Sequence, residues 1–180
     1  DSENEKQKVD QIMLLDMALR FNPDIAVVGE MRGAEANAAQ EAARTGIAVL
    51  TTIHANSCEA TYRRMVSLCK RAVDMSDETL MGYVTEAYPI IVFCKQLENK
   101  QRKMMEIMEC EILADGRRNY RTLFQYIITE NRTDEEGKFI IEGYHEQTSS
   151  ISQSLSKRLL ENGMPLEMIT RMKRREEKLE

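Results

Sequence analysis

The sequence has no apolar run approaching the roughly 20 residues of a membrane-spanning helix, and its first residues lack the pattern of a secretory signal. It also lacks an excess of positive charge: 25 Lys plus Arg face 30 Asp plus Glu, a net charge of -5. That balance argues against a surface built to hold nucleic-acid phosphates. No aromatic-rich basic stretch is present on which single strands could stack. The four cysteines, Cys58, Cys69, Cys94 and Cys110, show no C-x-x-C pairing, which reads as reduced thiols in a cytoplasmic protein rather than a disulfide framework or a zinc site. No internal repeat is found. The 180 residues, 42% hydrophobic and 31% charged, suffice for one domain with a substantial core.

The most informative stretch is residues 25–57, IAVVGEMRGAEANAAQEAARTGIAVLTTIHANS. Ile25 to Val28 is a short apolar run ending in Gly29-Glu30, and Ile47 to Ile53 is a second one ending in His54-Ala55-Asn56-Ser57. An alanine-rich segment, Ala34 to Arg44, lies between them. Two short apolar runs joined by a helical segment predict parallel strands with a crossover helix. The carboxyl ends of such strands carry the chemistry. Glu30 and His54 both fall just past such an end, so this geometry could aim a carboxylate and an imidazole into one crevice.

The flanking elements follow from pattern and punctuation. Residues 1–8 are polar and charged and read as a frayed end. Ile12, Leu15 and Leu19 predict a helix over 10–20, stopped by Pro23. Asn56 or Ser57 caps a helix running to about Arg71, Asp77 to Ala87 forms another, and Pro89 to Cys94 is a strand. Met104 to Leu113 and Asn119 to Ile128 are two strands around Asp115-Gly116, a signal for a two-residue hairpin turn. Alternation puts Met108, Cys110 and Ile112 on one face and Glu109 and Glu111 on the other. Residues 130–137 read as a charged loop and Phe139 to Ile141 as a short strand. Ile151 to Glu161 and a helix begun by Pro165 complete the chain, and RMKRREEKLE reads as a solvated tail. The expected organisation is therefore an edge at 1–8 and one domain over 9–180, with the strand-helix-strand stretch at 25–57, a β-hairpin extension at 103–142 and terminal helices at 150–175.

Three separated motifs together resemble the motor ATPases of the type II and type IV secretion superfamily. They are Leu19-Arg20 with Pro23-Asp24, then Val28-Gly29-Glu30-Met31-Arg32-Gly33 as a Walker B strand end, then Thr51 to Ser57 as a histidine box. The resemblance is dense over 12–71 and thinner beyond, and the order and spacing of the three are more specific than any one alone. It implies an α/β fold, the C-terminal half of a RecA-like ATPase core with added antiparallel strands and C-terminal helices. It further implies a ring-forming, hexameric ATPase at the cytoplasmic membrane face. Such a motor uses ATP and Mg²⁺ to drive pilus assembly or protein and DNA secretion through an inner-membrane platform protein, with no direct nucleic-acid contact by this chain. On that resemblance Glu30 acts through Mg²⁺ and the attacking water. His54, Arg32 and Thr52 bind or sense the nucleotide. Arg20, Arg63 and Arg64 are candidates for the subunit interface, although a solvated helix face accounts equally well for Arg63 and Arg64.

Two features depart from the family pattern. Gly46-Ile47 stands where many relatives have a glycine-histidine pair, and the phosphate loop G-x-x-x-x-G-K-[ST] is nowhere present. Without that loop the chain cannot cradle phosphates in the usual way. Two readings follow: the C-terminal part of a longer ATPase, which the start at Asp1 favours, or a degenerate paralogue. The rivals in function are a RecA-type helicase or recombinase, disfavoured by the acidic balance, and a non-catalytic ring or platform-interaction module.

Overall fold

The computed structural model describes residues 9–173. The chain divides into two compact units between Tyr88 and Pro89.

In the first unit, helix α1 (Gln11–Leu19) starts at Asp10, whose carboxylate accepts from the Met13 N–H at 2.8 Å. Such a cap is worth about 1 kcal/mol. Asn22 takes a left-handed turn, with φ at 48°, and hands the chain through Pro23 to strand β1 (Ile25–Val28). Helix α2 (Glu35–Arg44) crosses over to strand β2 (Ala48–Thr51). The strands pair in parallel from Ile25↔Ala48 to Val28↔Thr51. β2 is shorter than the apolar run 47–53 suggests, because β1 offers it only four partners.

The small side chains Ala36, Ala39 and Ala42 are buried along α2. Helix α3 (Cys58–Cys69) is capped by Ser57, whose hydroxyl accepts from the Ala60 N–H at 3.1 Å. Ser76 caps helix α4 (Asp77–Ala87) in the same way. The fully buried Tyr62 of α3 donates its hydroxyl to the Tyr88 carbonyl at 2.6 Å and fastens the end of α4. One face of the parallel pair stays open to solvent: Ile25, Val27 and Leu50 are 57%, 73% and 60% exposed.

The second unit is a four-stranded antiparallel sheet in simple order, β3 (Ile90–Gln96), β4 (Arg102–Ile112), β5 (Arg118–Thr133) and β6 (Phe139–Gln147). Three turns of one design join the strands. Leu97, Leu113 and Asp134 each donate an N–H to the residue four positions on, and each accepts one from the residue three positions on. The latter residue is left-handed in all three, at φ 66° for Lys100 and 80° for Gly116 and Gly137. The Asp115-Gly116 signal therefore marks a three-residue loop with a glycine bulge, not a two-residue turn.

Residues 130–133 belong to β5, not to a loop, since their pairing with β6 runs to Thr133↔Phe139. β6 is correspondingly longer than expected. Alternating burial also fails in β4, where Met108, Glu109 and Cys110 are all buried and Ile112 is exposed. Glu109 is buried because it meets helix α5 (Gln153–Glu161). Its carboxylate accepts the Ser152 N–H at 2.9 Å and the Ser152 hydroxyl, and Ser152 in turn caps the helix. Helix α6 (Leu166–Lys173) follows. The charged tail and the edge at 1–8 lie largely or wholly outside the described residues.

Candidate functional site

The site grows from the ends of β1 and β2. Beyond Val28 and Thr51 the strands no longer pair regularly, but two hydrogen bonds keep them together. Met31 donates its N–H to the Thr52 carbonyl at 2.9 Å. Thr52 donates its hydroxyl to the Gly29 carbonyl at 2.6 Å. Met31 is buried to 1% exposure and anchors the loop beneath Glu30. Glu30 and His54 thus emerge side by side from neighbouring strand ends, as the sequence suggests.

Glu30 is three-quarters covered, with side-chain exposure of 24%. Arg32 donates to its Oε2, and His54 Nε2 stands 3.1 Å from its Oε1. That Oε1 is buried, and no described residue makes a hydrogen bond to it. The hydrogen bond from Arg32 holds the Glu30 carboxyl below its ordinary range. Burial opposes this, while the charges of Arg32, His54 and Arg64 support it. Glu30 is therefore an ionised carboxylate with one oxygen held by a guanidinium and the other buried beside the His54 imidazole. His54 lies over it with its side chain 86% exposed.

The other sequence candidates separate. Arg32, Thr52 and Arg64 belong to this cluster, with Arg64 acting on Glu30 through its charge. Arg20 is the C-cap of α1, before β1 begins, and stands apart from the strand ends in sequence and topology. Arg63 pairs with Glu59 one turn back at 2.6 Å, both side chains more than half exposed, an arrangement that contributes little to stability.

Two functional-looking residues have no motif to mark them. Glu35 accepts N–H bonds from Arg32 at 2.5 Å and Gly33 at 2.7 Å. Arg71 donates to the Arg32 carbonyl at 3.0 Å. Only the glutamate at the first position of α2 could have hinted at this; nothing in the sequence marks Arg71.

Among the described residues no three His, Cys, Asp or Glu side chains converge as a metal cage. A lone carboxylate flanked by a guanidinium and an imidazole suits a different chemistry. Such a set can bind an anionic, phosphate-like group and orient a water against it. It fits Mg²⁺ only through water or through phosphates that carry the ion, the usual manner for that metal.

The profile of the Type II/IV secretion system protein family matches residues 2–173. The chain belongs to that family. It is 41% identical over 56 residues to competence protein ComGA of Streptococcus pneumoniae, 31% of this chain and 18% of that protein. It is 39% identical over 66 residues to the type IV pilus assembly ATPase PilB of Pseudomonas aeruginosa, 36% of this chain and 12% of that protein. The matched segments thus span less than a fifth of either relative. The VirB11 ATPase from the Brucella suis type IV secretion system shares the fold. The TM-score is 0.52 at 24% identity, over 56% of this chain and 32% of that one. No helix among the described residues is long and apolar enough to cross a membrane.

Proposed function

We propose that this chain is the C-terminal part of a RecA-like secretion or pilus-assembly ATPase, and that Glu30 is its catalytic carboxylate. The observation that carries the reading is the convergence of Glu30, Arg32 and His54 at the ends of two parallel strands. The Glu30 side chain keeps 24% exposure, and a carboxylate so placed can accept a proton from a water brought to its exposed edge. Arg32 keeps the carboxylate ionised and aimed. His54, exposed beside it, can donate a hydrogen bond to a terminal phosphate oxygen. Thr52 holds the two strand ends in register. Mg²⁺, when bound with the phosphates, neutralises their charge.

The phosphate loop would come from a preceding part of the same protein. The whole would assemble as a ring, six subunits on the family resemblance, with Arg20, Arg63 and Arg64 as interface candidates. It would dock on an inner-membrane pilus or secretion platform from the cytoplasmic side. Support for these finer points is the family membership and the similarity to PilB, a type IV pilus assembly ATPase.

The test separates binding from turnover in the full-length protein. Glu30→Gln is expected to keep ATP binding and lose hydrolysis, because an amide of the same shape cannot take the proton. Unchanged turnover removes Glu30 from the catalytic role. His54→Ala should weaken ATP relative to ADP by about 1.5–3 kcal/mol; an unaltered ratio makes His54 a tie of the strand end.

A further inference from the structure

We infer that Glu35 is a positioning residue for Glu30, holding the backbone of Arg32 and Gly33 so that the loop presents its carboxylate in one direction. The inference rests on the reading of Glu30 as the catalytic carboxylate.

The local sequence explains why a glutamate is needed here. Ala34, at the N-cap of helix α2, has no polar side-chain group to cap it. Ordinarily a Ser, Asp or Asn there would engage the first helical N–H groups. Glu35 instead turns back and spends its carboxylate on the loop. Its Oε1 accepts from the Arg32 N–H at 2.5 Å and the Gly33 N–H at 2.7 Å. Gly33 packs closely against this carboxylate: a Cβ there would lie 2.9 Å from Glu35 Oε2, which would have to shift slightly.

Arg71, from the end of α3, closes the other side by donating to the Arg32 carbonyl at 3.0 Å. The peptide groups on both sides of Arg32 are therefore held by charged side chains. Upstream, Thr52 holds the Gly29 carbonyl and the Met31 N–H. Glu30 is suspended between two fixed points, and Arg32, which binds its Oε2, rises from the fixed segment itself. The hydrogen bonds of Glu35 go to the backbone N–H groups of Arg32 and Gly33, so its influence passes through the backbone. Displacement of a reacting group by about 1 Å can cost roughly a hundredfold in rate, and supporting contacts of this kind set that precision. Burial pushes the Glu35 carboxyl up. The N–H groups of Arg32, Glu35 and Gly33 and the charge of Arg71 outweigh it, so Glu35 stays ionised at neutral pH.

The experiment measures steady-state ATP hydrolysis and thermal stability of the full-length protein with Glu35→Ala, Glu35→Gln and, as reference, Glu30→Gln. Glu35→Ala is expected to lower kcat at least about tenfold with KM for ATP within about twofold. Glu35→Gln keeps an amide oxygen that accepts both N–H bonds and should restore kcat to within about threefold of the parent. If Glu35→Ala does not fold, Glu35→Asp shortens the side chain, withdraws the carboxylate from both N–H groups and should give the same loss in kcat. Parent-like kcat in Glu35→Ala or Glu35→Asp overturns the inference, as does a loss that Glu35→Gln fails to restore. Unchanged turnover in Glu30→Gln is a separate failure, of the catalytic reading beneath it.

Discussion

Thr52 donates its hydroxyl to the Gly29 carbonyl at 2.6 Å, across the gap where β1 and β2 have ceased to pair. One hydroxyl thereby sets the spacing between the residue before Glu30 and the segment that carries His54. Thr52→Val keeps the shape and removes the donor. It should cost about 0.5–1.5 kcal/mol of stability, and kcat of the full-length protein should fall more than stability accounts for. Urea unfolding beside turnover checks this. A loss of stability with intact turnover would reduce Thr52 to a structural tie.

Glu109 and Ser152 make the second unit depend on one buried carboxylate. Glu109→Ala leaves the Ser152 N–H buried without its acceptor and should destabilise by about 1–3 kcal/mol. Glu109→Gln, which keeps an acceptor, should cost less. Urea midpoints of the two variants give the order directly, and equal midpoints would contradict it.

Lys100 holds a left-handed conformation that glycine holds in the two sister turns. A side chain there costs roughly 1–2 kcal/mol, partly offset by the greater unfolded freedom of glycine. Lys100→Gly is therefore expected to stabilise by about 0.5–1 kcal/mol, visible as a raised urea midpoint with unchanged slope.

Stability should fall as pH rises from about 9 to about 11. Burial, with help from the charge of Glu41, pushes the Cys69 thiol from 9.0 up to about 11. Burial also pushes the Tyr88 hydroxyl upward. Between these values the folded state keeps the Cys69 proton that the unfolded state has released. The contribution is thus complete below about 9 and lost as pH climbs through the folded value. Unfolding midpoints measured across that window should decline, and less steeply in Cys69→Ala.

Parallel sheets are normally covered on both faces, yet Val27 is 73% exposed here. On the proposed reading of this chain as part of a longer ATPase, a further layer there should cover it. Val27→Asp should then cost about 2–3 kcal/mol there, but within about 0.5 kcal/mol in the 180-residue chain alone. Melting both pairs decides it. An equal, small change in both would leave the face a solvent surface of the whole protein.

Much of the first unit was legible because its signals are local. Ser57 and Ser76 cap where helix starts were expected, and Asp77 to Ala87 is a helix with the expected bounds. Glu30 and His54 come within 3.1 Å because strand ends can be read from apolar runs and parallel pairing does the rest. The failures share a cause in contacts distant along the chain. Residues 130–133 look like loop by charge, but β6 supplies partners for them. Glu109 fits an outward-facing alternation until Ser152, 43 residues on, covers it. Glu35 and Arg71 look like ordinary helix charges, and only the folded path of residues 29–33 gives them work. The Asp115-Gly116 pair marks the place of the turn but not its length, since both two- and three-residue turns accept that pair.

The plain meander of the second unit also sets a timetable. Its strands meet across three-residue turns, so each closure is short and fast, in the microsecond range typical of hairpins. The pairing of β1 with β2 waits on the crossover through residues 29–47, and the entropy of closing a longer loop slows it. The carboxylate and the imidazole therefore meet late. During refolding of the whole chain, pulsed hydrogen exchange should protect the antiparallel sheet before the β1–β2 pairing.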